Sequence, residues 1–276
     1  MINQRNISLI SNKTHQNGGS RIPEEVIERD YCLGWFLIGL SHSSVKNKLA
    51  FKGGTALRFC YFKDYRFSED LDFTLLKEIA LEEILKEFKG IFSYIKGEAG
   101  ILFDIGKQEQ PSENTYTFYM IYEGPLPGRA KEIKVDITFR EKMMTPIKEK
   151  KVIKTYEEYS DFEKGATIKV YSLEEVAIEK VCALLSLSRN EPRDLYDIWY
   201  LVEQGGIDLG HLISDIEKKI QFKGEGLRDK KEQLDKKEER LQKLWENRLS
   251  SQISTLPEYK DVFRAVKRAF RKAGII

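Results

Sequence analysis

Cysteine is scarce in this chain. Only Cys32, Cys60 and Cys182 occur among 276 residues, with no CxxC or other metal-ligand spacing. That excludes a cysteine-built metal centre, and their apolar company fits buried, reduced thiols in a cytosolic protein. Histidine is as rare. His15, His42 and His211 share no spacing with a serine or cysteine, so no hydrolase triad is indicated. Long apolar runs are missing as well: the longest, Trp35 to Leu40, is far too short to cross a bilayer. No basic stretch followed by an apolar segment opens the chain. A soluble cytoplasmic protein with no membrane partner is the expectation. Nor is there an excess of charge, since 46 Lys and Arg stand against 44 Asp and Glu. Net charge therefore does not announce a nucleic-acid binder, and any basic surface must be local. No repeat of solenoid period occurs, and Trp35, Trp199 and Trp245 read as packing residues rather than base-stacking platforms.

The length suits one large domain or two ordinary ones. Residues 1–20 are polar and read as loose unless docked. Apolar positions recur at helical spacing from Pro23 to Ser41, and again from Leu81 to Ile95. Leu49-Ala50-Phe51 reads as a short buried strand ending at Gly53-Gly54, with a helix from Thr55 to Phe62 and a strand over Leu71–Leu76. Residues 101–105, 115–122 and 132–139 hold β-formers between turn signals, and the last two make a hairpin. Val152-Ile153 reads as one more edge strand. Beyond Val170 the pattern is almost wholly helical. Ser172 with Glu175 forms a capping box for the helix carrying Lys180, and a second helix runs from Arg193 to Glu203. Residues 225–249 are nearly all charged, with a thin stripe of Leu227, Leu234, Leu241, Leu244 and Trp245, which reads as a surface arm or partner-binding helix. Val262, Phe263, Val266 and Phe270 form one face of a last helix. Arg264, Lys267, Arg268, Arg271 and Lys272 form the other, read equally as a strip that attracts phosphates of an acceptor RNA or as a solvated helix face. The fold class is α+β: a domain over 1–165 with a small mixed sheet flanked by helices, then an all-helical domain over 166–276.

The segment Phe51 to Leu76 carries the chemistry. Alternate residues of a strand share a side, so Asp70 and Asp72 point together while Leu71 and Phe73 enter the core. Alone, such a pair is better read as solvated acids at a strand end; the upstream glycines and a further acid shift the balance. Asp136 lies inside the β-branched run Ile133–Phe139, where an unpaired carboxylate is costly and needs a partner or a metal. If that strand lies beside Leu71–Leu76, three carboxylates meet and suit a pair of Mg²⁺ ions. Lys134 and Thr138 on the same side leave a solvated edge strand open as the alternative. Gly53-Gly54 before a helix lets phosphate oxygens approach the main chain and the helix N-terminus. Arg58, Arg66 and Ser68 stand where they could touch phosphates. Lys180, in a strongly apolar stretch, must snorkel or meet an acid. Asp194 and Asp197 lie at i, i+3 on one helix face.

In this order, Gly-Gly-Thr-Ala-Leu-Arg, Arg-Phe-Ser-Glu-Asp-Leu-Asp-Phe, Val-Asp-Ile-Thr, Glu-Lys-Val-Cys-Ala-Leu and Arg-Asp-Leu-Tyr-Asp resemble the AbiEii/AbiGii-type toxins. These are nucleotidyltransferases of the DNA polymerase β-like superfamily, related to the MenT toxins, and the resemblance covers about residues 21–205. It implies a Mg²⁺-dependent nucleotidyltransferase of a type IV-like toxin–antitoxin or abortive phage-infection system. Such an enzyme moves NMP from an NTP to an RNA acceptor, a tRNA 3′ end, and is restrained by a cognate antitoxin. The family motifs fall on Gly53, Gly54, Asp70, Asp72, Asp136, Lys180, Asp194 and Asp197. The implied roles are metal binding by Asp70, Asp72 and Asp136, and catalysis by these with Lys180 and Asp197. Gly53, Gly54, Thr55, Arg58, Arg66, Ser68, Lys180 and Asp194 would hold the nucleotide, with Lys180 mattering more to NTP use than to folding. Two other readings stay open: an NTP- or partner-binding module with little turnover, and a housekeeping nucleotidyltransferase.

Overall fold

Strand β5 (Lys131–Thr138) sets the logic of the sheet, because Ile133, Val135 and Ile137 are fully buried while Lys134, Asp136 and Thr138 are not. The structure, a computed structural model, describes residues 1–16, 19–110, 112–186, 188–224 and 230–276, with the side chains of 16, 230 and 231 left aside. The described chain divides into two units, Met1–Glu141 with Ile147–Tyr171, and Lys142–Pro146 with Ser172–Ile276.

The first unit adds strands β1 (Leu49–Lys52), β2 (Leu71–Leu75), β3 (Leu102–Gln108), β4 (Thr115–Glu123), β6 (Lys148–Lys151) and β7 (Thr167–Val170). Its helices are α1 (Gln4–Gln16), α2 (Glu24–Ser41), α3 (Gly53–Cys60) and α4 (Leu81–Ala99). The strands form one seven-stranded mixed sheet in the order β3-β4-β5-β2-β1-β7-β6. It is larger than the sequence suggested, because β6 and β7 extend it. The 115–139 hairpin is present as antiparallel β4 and β5. The expected edge strand lies one step earlier, over Lys148–Lys151. Val152 N–H still bonds the Ala166 carbonyl, its in-register partner, and the chain leaves the ladder at Ile153, whose N–H donates to the Phe59 carbonyl.

One face of the sheet carries α2 and α4. The Phe88 ring of α4 stands 5.5 Å from Phe118 of β4 and 5.1 Å from Phe36 of α2. Helix α2 is buried nearly all round from Ile27 to Ser41, acids included. Its Glu28 accepts from Lys131 Nζ at 2.6 Å and from the Leu126 N–H at 2.7 Å, which ties down the turn between β4 and β5. Residues 4–16 are not loose: α1 docks through Ile7, Ile10 and Ser11, and Ser11 donates to the Ile22 carbonyl at 2.7 Å.

The second unit holds α5 (Leu173–Leu185), α6 (Pro192–Glu203), α7 (Ile213–Phe222), α8 (Lys230–Leu249) and α9 (Tyr259–Ala273). Ser172 caps α5 by accepting from the Glu175 N–H at 3.1 Å. Strand β7 carries the sheet past the expected boundary at 165 to Val170. The charged helix α8 is no free arm. Leu234, Leu241, Trp245 and Leu249 are buried, and the Trp245 ring stands 6.4 Å from Tyr196 of α6. Leu227 lies outside the described residues. In α9, Val262, Phe263, Val266 and Phe270 turn inward as expected. Its basic strip is largely answered by acids: Lys267 pairs with Asp235 at 2.7 Å, Lys272 with Asp208 at 3.1 Å, Arg268 with Glu203 at 3.4 Å and Arg264 with Asp261 at 3.6 Å.

Candidate active site

The sheet face turned away from α2 and α4 is polar at its centre. Strands β2 and β5 run parallel, and their register sets Asp72 opposite Asp136. On the other side of β2, antiparallel β1 sets Lys52 opposite Asp72. On β4, Thr117 faces Asp136 in register. The conditional reading of Asp136 is thereby met at the backbone: its strand does lie beside β2. Asp70 precedes β2 by one residue and shares the parity of Asp72.

Asp136 is engaged on both oxygens. Thr117 donates to Oδ1 at 2.6 Å, and Lys134 Nζ donates to Oδ2 at 2.8 Å. Burial works against the Lys134 charge, but the hydrogen bond and charge of Asp136, helped by Asp70, outweigh it and raise the lysine's pKa. Thr117 and Lys52 escaped the sequence reading. Only strand register could have placed them, since neither belongs to a motif of its own.

The glycine turn closes on these acids. Gly53 has φ +78, and a Cβ there would lie 2.5 Å from Asp72 Oδ2. No other residue fits that position without moving the carboxylate. A Cβ on Gly54 would meet Arg66 Nη2 at 2.5 Å and Ser68 Oγ at 3.3 Å, so both residues stand against the turn as expected. Helix α3 starts at Gly53 with no side chain capping it, which leaves its first N–H groups to an anion.

Two residues assigned to the nucleotide are engaged elsewhere. Thr55 donates its hydroxyl to the Asp70 carbonyl at 2.6 Å and so shapes the chain before β2. Arg58 is 2% exposed and faces the interior of its unit. Its guanidinium pairs with Asp30 through Nε and, at 3.2 Å, through Nη2, with Nη1 on the Tyr65 carbonyl. Thr155 and Tyr159 donate to the same Asp30 carboxylate at 3.2 and 3.1 Å. The site-facing turn of α3 is taken by its glycines, and Arg58 lies on the core side.

Lys180, Asp194 and Asp197 form a cluster of their own within the second unit. Lys180 Nζ pairs with Asp194 Oδ1 at 2.8 Å and Asp197 Oδ2 at 2.7 Å. Arg189 adds a second cation on Asp194 at 2.5 Å. Burial pushes the Asp194 carboxyl up, yet the charges and hydrogen bonds of Lys180 and Arg189 prevail, and its pKa lies below the ordinary value. Arg189 was missed because it stands in the turn before the motif.

Among the described residues no three His, Cys, Asp or Glu side chains are already gathered at metal-ligating separations. The donors nonetheless suit a hard cation. All are carboxylate oxygens, and the uncapped α3 N-terminus beside Asp72 suits an anion, so a phosphate held there would set like charges together that a cation between them would balance. In this conformation Lys134 supplies positive charge to Asp136.

The family model described as "Nucleotidyl transferase AbiEii toxin, Type IV TA system" matches residues 35–272. That match continues well past 205 and takes in the charged helix and most of α9. No curated protein matches the chain. Among solved structures, the nucleotidyltransferase toxin MenT4 of Mycobacterium tuberculosis is similar at TM-score 0.64 and 18% identity, covering 92% of this chain and 85% of that one. JHP933 of Helicobacter pylori is similar at TM-score 0.59 and 17% identity, over 92% and 95% of the two chains. At such identities the likeness is one of fold. Among the described residues no helix is long and apolar enough to cross a membrane.

Proposed function

The chain belongs to the AbiEii family of nucleotidyltransferase toxins of type IV toxin–antitoxin systems, and from that membership we propose that it transfers NMP from an NTP to a hydroxyl of an acceptor RNA, a tRNA 3′ end. The acceptor oxygen attacks the α-phosphorus, the bond to the β-phosphate oxygen breaks, and pyrophosphate leaves. The observation that carries this reading is the pairing of Asp72 with Asp136 across β2 and β5, beside the Gly53-Gly54 turn.

Asp70, Asp72 and Asp136 would hold Mg²⁺, which neutralises charge on the triphosphate when bound. The free N–H groups at the start of α3, with Arg66 and Ser68, cradle phosphate oxygens. Asp136 still has lone pairs beyond those taken by Thr117 and Lys134, and these accept the proton of the acceptor hydroxyl. Lys180, held by Asp194 and Asp197, keeps the role its family motif implies, a cation for the nucleotide. Positioning and charge stabilisation supply most of the rate in such chemistry. A cognate antitoxin restrains the toxin, and abortive phage infection is the setting this reading favours.

The test incubates the purified protein with total tRNA, Mg²⁺ and each α-³²P-labelled NTP in turn. Label should enter tRNA with at least one NTP, and Asp70→Asn or Asp72→Asn should abolish it while leaving the melting curve near wild type. No transfer with any NTP would overturn the reading.

A further inference from the structure

We infer that the second unit carries a binding cleft for the phosphodiester backbone of a single-stranded RNA end, walled by α8 and the turn between α5 and α6. This rests on the proposed RNA acceptor and gives it a location. The cleft holds about 400 Å³, with Ser188, Asn190 and Glu191 on the turn and Arg240, Lys243, Leu244 and Arg248 on the helix. Its helix wall is cationic along its length. Arg240 and Arg248 lie eight residues apart, roughly 12 Å along the axis at the usual helical rise, enough to meet more than one phosphate. All three cations are exposed. Among the described residues neither arginine has a carboxylate at ion-pair distance, whereas Lys243 pairs with Glu239 at 2.6 Å. The lining acid, Glu191, is answered by Arg193 at 3.7 Å.

The cleft is also a built feature rather than two surfaces that happen to meet. Lys237, 6% exposed and one turn before Arg240, bonds the Leu184 and Arg189 carbonyls at 2.8 Å each and the Ser186 carbonyl as well. Those bonds satisfy the open C-terminal carbonyls of α5 and hold the helix wall to the turn wall. The same turn carries Arg189, which pairs with Asp194, the partner of Lys180. A strand of phosphates in the cleft therefore lies one residue from the cluster assigned to the nucleotide. The basic strip of α9 is a weaker candidate, because four of its cations already face acids. Among the described residues Leu244 is the lone apolar residue of the lining. An acidic protein partner would call for an apolar, aromatic interface core, which the described lining does not provide.

The test measures fluorescence anisotropy of a 5′-labelled RNA hairpin with a single-stranded 3′ tail, across a salt series. R240Q/R248Q should bind at least tenfold more weakly at low salt, and the slope of log K against log salt should flatten by about 1.4, the value for two phosphate contacts on a single strand. R264Q/R268Q on α9 should change both far less. Both pairs are exposed, so unaltered melting curves are expected and confirm that the loss is one of binding. Unchanged affinity and slope in R240Q/R248Q would overturn the cleft. So would an equal loss in the two double variants, or displacement of the RNA by poly-glutamate as readily as by poly-uridylate. Transfer from labelled NTP is scored separately on the wild type. Its absence would sink the proposed reaction, while the anisotropy series still decides the cleft.

Discussion

Replacing Lys180 by alanine should unfold the protein at a markedly lower temperature. The lysine is 12% exposed and makes ion pairs of 2.8 and 2.7 Å to two carboxylates that are 1% and 0% exposed. Removing it leaves Asp197 buried without that cation and Asp194 with Arg189 alone. Breaking a buried pair from one side costs about 3–5 kcal/mol. At roughly 2–4 °C per kcal/mol for a chain of this size, that is a fall of about 6–20 °C in Tm. The assay is thermal unfolding followed by circular dichroism. Lys180→Met combined with Asp197→Leu should regain most of the loss, because replacing both members of a buried pair by apolar groups is often neutral. That double variant also separates folding from function: refolded but unable to use NTP, it shows the Lys180–Asp197 pair acting on nucleotide. A single Lys180→Ala variant melting within about 1 °C of wild type would refute the argument from buried pairs. The sequence alone ranked NTP use above folding for this residue; its buried partners make the folding cost large as well.

Four further outcomes follow from the geometry. Gly53→Ala should abolish transfer and cost about 1–2 kcal/mol, from the left-handed backbone alone, with its methyl driven against Asp72; wild-type turnover would show that the turn tolerates a side chain. Lys134→Ala should tighten Mn²⁺ binding followed by electron paramagnetic resonance, since it withdraws the cation from Asp136; weaker binding would mean that Lys134 supports the site. Arg58→Met should lower stability by about 3–5 kcal/mol with no change in KM for NTP among molecules that remain folded, and a KM rise at intact stability would return Arg58 to the nucleotide. The Asp194 carboxyl has a depressed pKa in the folded state, so its contribution is complete above the unfolded value of about 3.9 and is lost as pH falls through the folded one. Melting temperature should drop below about pH 4 with a shallower drop in Asp194→Asn, and parallel curves would contradict the assignment.

Much of the core was legible because its period is short. The β4–β5 hairpin alternates apolar and polar residues around a Gly-Pro turn, and α2 and α4 show long apolar recurrence. Helix α1 was hidden because few apolar residues anchor it, and α8 because so thin a stripe suffices to dock a helix. The acids Asp70, Asp72 and Asp136 could be picked out by residue type and strand parity. Their neighbours could not, since Thr117 and Lys52 reach the site only through cross-strand register. Arg58 misled for a related reason: nearly every residue of α3 is buried, so its sequence shows no preferred face, and only the position of Asp30 reveals where the guanidinium goes.

The order in which the sheet can be assembled has a consequence for the cell that makes this toxin. Strand β2 pairs in parallel with β5, and β1 in parallel with β7. Both pairings join segments far apart in sequence, and such long-range closures are slow and come late in folding. At a synthesis rate of about 5–20 residues per second, a ribosome needs on the order of ten seconds or more to pass Val170, and until then β1 lacks its second neighbour. A nascent or truncated chain that ends before β5 has Asp72 without Asp136. On the proposed mechanism such a product lacks part of the metal site, so transfer requires a chain long enough to close its own sheet.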